Sequence, residues 1–186
     1  MIKHKDQRVG VFIDVQNMYY SARNLHDAKV NFSAVVEAAV SGRNLIRAIA
    51  YVVKTKTGEE KPFFEALMSS GIETKEKVLM EYFGGAKKAD WDVGIAVDAI
   101  RIGTLLDVVV LVSGDGDFHP LVEYLKNQGR QVEVIAFRET ASTKLVEIAD
   151  NFTDISQNQD KFLIKSRERS RPKAAIIRGG RRLPVE

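Results

Sequence analysis

The stretch Val108-Val-Val-Leu-Val-Ser-Gly-Asp-Gly-Asp-Phe118 decides the fold. Its five aliphatic residues, Val108 to Val112, show no polar alternation, the pattern of a central parallel strand covered on both faces. The apolar run then breaks into Ser113-Gly114-Asp115-Gly116-Asp117. Two carboxylates and two glycines therefore stand at the carboxyl end of a buried strand, where open α/β sheets bind their ligands. The glycines let the backbone turn tightly there. Carboxylates so close together repel unless a proton or a hard cation lies between them.

Working outward, the segment before this strand, Asp92 to Gly103, puts Ile95, Ala99 and Ile102 on one helical face. After it, Phe118–Asn127 reads as a helix stopped by Gly129, Val132–Phe137 as a strand and Thr143–Ala149 as a helix. Toward the amino terminus, Val9–Asp14 is a short buried strand and Asn17–Leu25 a helix. Phe32–Val40 is a second helix and Leu45–Val53 a second strand. The charged loop Lys54–Lys61 leads to Pro62, a good first residue for a helix through Ser69. Ile72–Tyr82 alternates imperfectly and is expected as a further strand. This alternation predicts an α/β fold: a doubly wound, mainly parallel sheet with helices on both faces and right-handed crossovers. In the common strand order the Val9 and Val108 strands are neighbours, so Asp14 should face Asp115 and Asp117. Asp98 should reach the same crevice from its helix. Asp92, six residues earlier, does not share a face with it at about 3.6 residues per turn.

Composition bounds the class. The 186 residues, 45% of them hydrophobic, suffice for one core. With no cysteine there are neither disulfides nor thiolate metal sites, and His4, His26 and His119 are too scattered for a zinc site. No stretch has the apolar length of a membrane span, and the amino terminus lacks a signal-peptide core, so a cytoplasmic location and no membrane partner are expected. The formal charge of +3 is uneven: from Lys165 onward eight basic residues face Glu168 and Glu186, leaving a mildly acidic body. The expected organisation is a domain over residues 1–160 and a basic tail over 161–186.

The order and spacing of four motifs then become specific. Phe12-Ile-Asp14-x-x-Asn17, Asp92-Val-Gly-Ile-Ala-Val-Asp98, Val112-Ser-Gly-Asp-Gly-Asp-Phe118-x-Pro-Leu121 and Gly129-x-x-Val-x-Val134 together resemble the NYN domain family, in its LabA-like (DUF88) branch. Ser142-x-x-Leu145 and Asp150-x-Phe152 are similar to the family's closing motif. The resemblance implies a PIN-like nuclease fold and a metal-dependent ribonuclease acting on RNA. The branch carries Lys-Gly-Val-Asp before its helix, whereas Ala89-Asp90-Trp91-Asp92 stands here with Lys88 one residue further away.

Chemistry independent of the resemblance leads to the same residues. In-line hydrolysis of a phosphodiester needs an activated water and a counter-charge for the developing negative oxygens, which Mg²⁺ or Mn²⁺ held by carboxylates supplies. Asp14 and Asp115 are the first candidate metal ligands and Asp98 and Asp117 the next, with Asp92 behind them. Asn17 would orient a water or phosphate and Ser113 would donate a hydrogen bond. Each has a plainer alternative. Asp14 and Asp117 can cap the helices that follow them, Asp98 can pair with Arg101, and Asp92 can complement its helix dipole. Trp91 and the Tyr19-Tyr20 pair are expected to pack rather than stack on bases. Lys54, Lys87, Lys88 and the tail's Arg167, Arg169 and Arg171 are candidate RNA contacts. A non-catalytic RNA-binding or regulatory protein on the same fold is the alternative function, a sugar-nucleotide transferase using Asp115-Gly-Asp117 ranks third, and a homodimer is compatible with either of the first two.

Overall fold

The computed structural model describes residues 3–55, 58–78, 80–81, 87–88 and 90–165, with the backbone alone at 80–81 and 87–88. The first strand, β1 (Arg8–Asp14), is buried from Val9 onward. It runs without a linker into α1 (Val15–His26), two residues earlier than the apolar periodicity predicts, because Asp14 itself caps the helix. A short strand β2 (Ala28–Val30) and α2 (Phe32–Val40) follow, then β3 (Asn44–Lys54). Helix α3 (Lys61–Ser69) leads into β4 (Glu73–Val78). The strand expected over 72–82 therefore divides: β4 belongs to the main sheet, while β5 (Met80–Glu81) pairs antiparallel with β6 (Lys87–Lys88). The chain continues through α4 (Asp92–Gly103), the organising strand β7 (Val108–Val112), a single 3₁₀ turn at Gly116–Phe118 and α5 (His119–Asn127). It ends with β8 (Gln131–Ala136), α6 (Thr143–Ile148), β9 (Asn151–Asp154), α7 (Gln159–Phe162) and β10 (Leu163–Lys165).

The main sheet has the order β4-β3-β1-β7-β8-β9, and every neighbouring pair is parallel. The order runs outward from β1 on one side and from β7 on the other, so the topological switch point falls between them. Right-handed crossovers moving in opposite directions place α1 to α3 on one face and α4 to α6 on the other, giving three layers. The core follows from the strands' continuous apolar runs: Val9, Val11, Phe12 and Ile13 of β1 and all five residues of β7 are fully buried, with Tyr51, Phe118 and Phe137 the largest side chains around them.

Two parts of the chain fold where the sequence predicts none. The four half-buried residues of β9 extend the sheet beside β8. The segment Leu163–Lys165 pairs antiparallel with β2, and Phe162 and Leu163 are buried, so regular structure includes residues beyond 160. Arg167, Arg169 and Arg171 lie outside the described residues. Among the described residues no helix is long and apolar enough to cross a membrane.

Candidate active site at the carboxyl edge of the sheet

Parallel pairing of Ile13 with Val112 brings the next residues, Asp14 and Ser113, together above the switch point. There the two strand ends are joined by side chains. Asp14 Oδ1 accepts the Asn17 N–H at 3.0 Å, which is its capping bond, and Oδ2 accepts the Ser113 hydroxyl at 3.2 Å. The Ser113 oxygen in turn accepts the Asp115 N–H at 3.2 Å, and Asn17 returns the contact by accepting the Gly114 N–H on Oδ1 at 3.0 Å. Asp115 Oδ1 accepts the Asp117 N–H at 3.0 Å. The capping role expected for Asp117 thus belongs to Asp115, which caps the 3₁₀ turn, while α5 starts without a side-chain cap. Asp14 caps a helix and faces the acidic loop at the same time, because a carboxylate has about four lone-pair sites and the two hydrogen bonds occupy only some of them.

The glycines of the loop serve a different purpose from the one turn chemistry suggests. Neither Gly114 nor Gly116 has a positive φ. Instead the loop lies against residues 141–142: a Cβ on Gly114 would stand 3.0 Å from the Ala141 Cα, and one on Gly116 2.9 Å from the Ser142 Oγ. The Ser142 N–H donates to the Gly114 carbonyl at 2.9 Å. Close approach of the Ala141 backbone to Gly114 and of the Ser142 side chain to Gly116, rather than an unusual dihedral, leaves little room for a Cβ there.

Electrostatics separates the aspartates. Asp14 is only 7% exposed. Burial raises its pKa above the ordinary carboxylate range, and Asp115 adds to the rise against the hydrogen bonds from Asn17 and Ser113. Asp92, at the start of α4, is pushed up to about 6, first by burial and then by Asp115, Asp14, Asp90 and Asp117. Five carboxylates, Asp14, Asp90, Asp92, Asp115 and Asp117, are therefore electrostatically coupled around the switch point. Asp98 is not. It is buried on the next turns of α4, where Tyr51 donates to it at 2.8 Å and Lys75 at 2.5 Å. Burial raises its pKa, but Lys75 and Tyr51 outweigh that and leave it below the ordinary value. The geometry thus reverses the expected order of the two α4 aspartates, placing Asp92 in the cluster and Asp98 in an ion pair, and the pair is with Lys75 rather than Arg101. Among the described residues no three carboxylate or imidazole groups stand close enough together to enclose a metal ion.

The remaining expectations fall as follows. Trp91 packs: its Nε1 donates to the Val52 carbonyl at 2.9 Å, its ring meets Tyr51 edge-on, and a Cβ on Gly94 would lie 2.6 Å from it. Tyr19 and Tyr20, expected to pack, are instead exposed on α1, edge to face with each other. Lys54 is exposed and 3.4 Å from Glu76. The side chains of Lys87 and Lys88 lie outside the described residues. What sequence reasoning missed is the packing of residues 141–142 on the acidic loop, which is 25 or more residues away along the chain and carries no local signal.

Comparison with known proteins agrees with this fold. The NYN domain model matches residues 8–156, so the chain belongs to the NYN domain family. It is 25% identical over 179 residues to the low amplitude and bright protein LabA of Synechococcus elongatus, covering 90% of this chain and 93% of that protein. A crystal structure of a protein of unknown function from Vibrio parahaemolyticus superposes with a TM-score of 0.79 at 33% identity, covering 88% of this chain and all of that one.

Proposed function

We propose that this NYN-domain protein is a divalent-metal-dependent ribonuclease that hydrolyses RNA phosphodiester bonds at the switch point. The observation that supports it best is the environment of Asp14 and Asp92. Both are held where burial and other carboxylates oppose their charge, and no basic side chain is among the groups that shift them most. A fold gains nothing by gathering such groups, whereas a hard cation would neutralise them. The donors fit Mg²⁺ or Mn²⁺: all are oxygens, and Mg²⁺ asks for only one or two protein carboxylates because it keeps most of its waters. Asp14 and Asp115 would hold it, with Asp92 and Asp117 beside them. The bound ion supplies a counter-charge and a more acidic water.

The chain's own groups do the positioning. Asp14 is fixed by the Asn17 N–H and the Ser113 hydroxyl, so its free lone pairs point in one direction. Asn17 has its carbonyl on Gly114, which leaves its NH₂ to donate to a phosphate oxygen. Asp92, a further carboxylate beside that ion, is the candidate proton acceptor for the attacking water. Metal-dependent RNA binding without turnover is the second reading, favoured by the lack of a three-carboxylate cage among the described residues. Purified protein incubated with labelled RNA and Mg²⁺, Mn²⁺ or EDTA tests the first against the second. Cleavage in the metal lanes only is expected; binding without cleavage in any lane selects the second reading.

A further inference from the structure

The face between α4 and α5 has no part in the chemistry above. A groove of about 390 Å³ runs there, walled by Val93, Ala96 and Ile100 of α4 and by Pro120, Leu121 and Tyr124 of α5. Its mouth is formed by Asp92 and Asp117. Val93 is 74% exposed, Ile100 37% and Tyr124 44%, so a stripe of α4 that would ordinarily be polar presents apolar surface to solvent. A separate, narrower cleft of about 40 Å³, lined by Ile100 and Tyr124 from its other side, also includes Gln128 and Arg130. The Arg130 guanidinium is held there by the Leu106 carbonyl at 2.6 Å. The groove therefore sets an apolar wall with an exposed aromatic ring beside two of the clustered aspartates.

We infer that the α4–α5 groove is a nucleobase subsite for single-stranded RNA, holding the base next to the scissile phosphate. This rests on the ribonuclease reading for the position of that phosphate. A base has apolar faces and a polar edge, and the Tyr124 ring, with Pro120 beside it, offers a surface on which such a face stacks. The volume lies in the range of small-ligand pockets. A base inside a duplex has both faces covered and cannot enter, so the groove selects unpaired RNA.

The test reads binding by fluorescence anisotropy with Mg²⁺, using a short single-stranded RNA, a series in which one nucleotide at a time is abasic, and the same strand in a duplex. Cleavage is suppressed by Asp14→Asn in every protein compared. Tyr124→Ala should weaken binding about 5- to 100-fold and Tyr124→Phe should leave it near the parent. Val93→Glu, at an exposed position that does not threaten the fold, should also weaken it. One abasic position should weaken the parent by a similar factor and add nothing to Tyr124→Ala. The duplex should bind worse. Affinity unchanged by Tyr124→Ala, or equal effects at every abasic position, overturns the proposal. So does a change of oligomeric state in sedimentation on Val93→Glu, which would make the groove a contact between copies of the chain. Binding in the expected pattern by these variants, with no cleavage by the protein that keeps Asp14, supports the subsite and removes only the ribonuclease reading; absence of RNA binding overturns both.

Discussion

Two buried carboxylates lie in this sheet, and they are treated in opposite ways. Glu133 of β8 is 2% exposed and Asp14 of β1 is 7% exposed. Glu133 receives both arms of the Arg43 guanidinium, at 2.8 and 3.0 Å, and Arg43 is itself anchored on the Ala39 and Val40 carbonyls. Its charge is cancelled inside the fold. Asp14 receives only neutral donors and faces further aspartates. A buried charge that serves structure carries its counter-ion with it, whereas one left among like charges leaves room for a counter-ion from solution. The difference distinguishes a structural carboxylate from a functional one more sharply than burial does.

The largest effect should come from breaking the compensated pair. Arg43→Met strands Glu133 with only the side chains of Gln131 and the more distant Lys3, and should lower unfolding free energy by about 3–5 kcal/mol in urea titrations. Arg43→Met combined with Glu133→Leu should recover most of it, since a buried pair replaced by apolar side chains is often neutral. Cleavage by the double variant should persist. If the single variant is as stable as the parent, the contrast between the two carboxylates has no energetic basis.

The mirror experiment is Asp14→Asn, where the effects should exchange places. RNA cleavage should fall by at least about 100-fold, the upper range seen when groups merely supporting a metal ligand are lost. Stability should hold or rise at neutral pH, because a carboxylate disfavoured by burial has been made neutral. The stabilisation expected of the parent in saturating Mg²⁺, about 2.7 kcal/mol at 100 times its dissociation constant and read as a rise in melting temperature, should vanish. An equal Mg²⁺ response in both proteins would place the ion elsewhere.

Much of this contrast was legible beforehand and part of it was not, for physical reasons. Short, β-branched apolar runs that end in turn residues, such as Val108–Val112, read as strands covered on both sides, so the sheet and the aspartates at its edge followed from them. Glu133 stands between Val132 and Val134, where alternation makes a charge look solvated, and Arg43 follows the Ser41-Gly42 turn, where it looks like a loop residue. Their meeting depends on a contact spanning 90 residues. Asp98 was misplaced for the same reason, since its partner Lys75 lies on β4, the strand with the weakest pattern. The three- and four-residue strands β2, β9 and β10 hold too few residues to show a period.

A smaller, pH-dependent effect sharpens the comparison. The Asp92 pKa is raised in the folded state from an ordinary carboxylate value to about 6. The folded protein therefore holds a proton that the unfolded chain has lost, and stability declines as pH rises from about 4 to about 6. Above that window the penalty is complete; below it there is none. Asp92→Asn should therefore raise the melting temperature at pH 7.5 relative to the parent and leave it unchanged near pH 3.5. A difference that is the same at both pH values would mean that Asp92 is not opposed by its neighbours.

The packing of Ala141 and Ser142 on the acidic loop also sets a timetable. All the coupled aspartates are in place by residue 117, yet the surface that excludes side chains from Gly114 and Gly116 arrives more than twenty residues later. A nascent chain that has emerged only as far as β8 has every acidic group and no support for the loop that presents them. Any capacity to cut RNA would thus wait on residues that are translated well after the last of the aspartates.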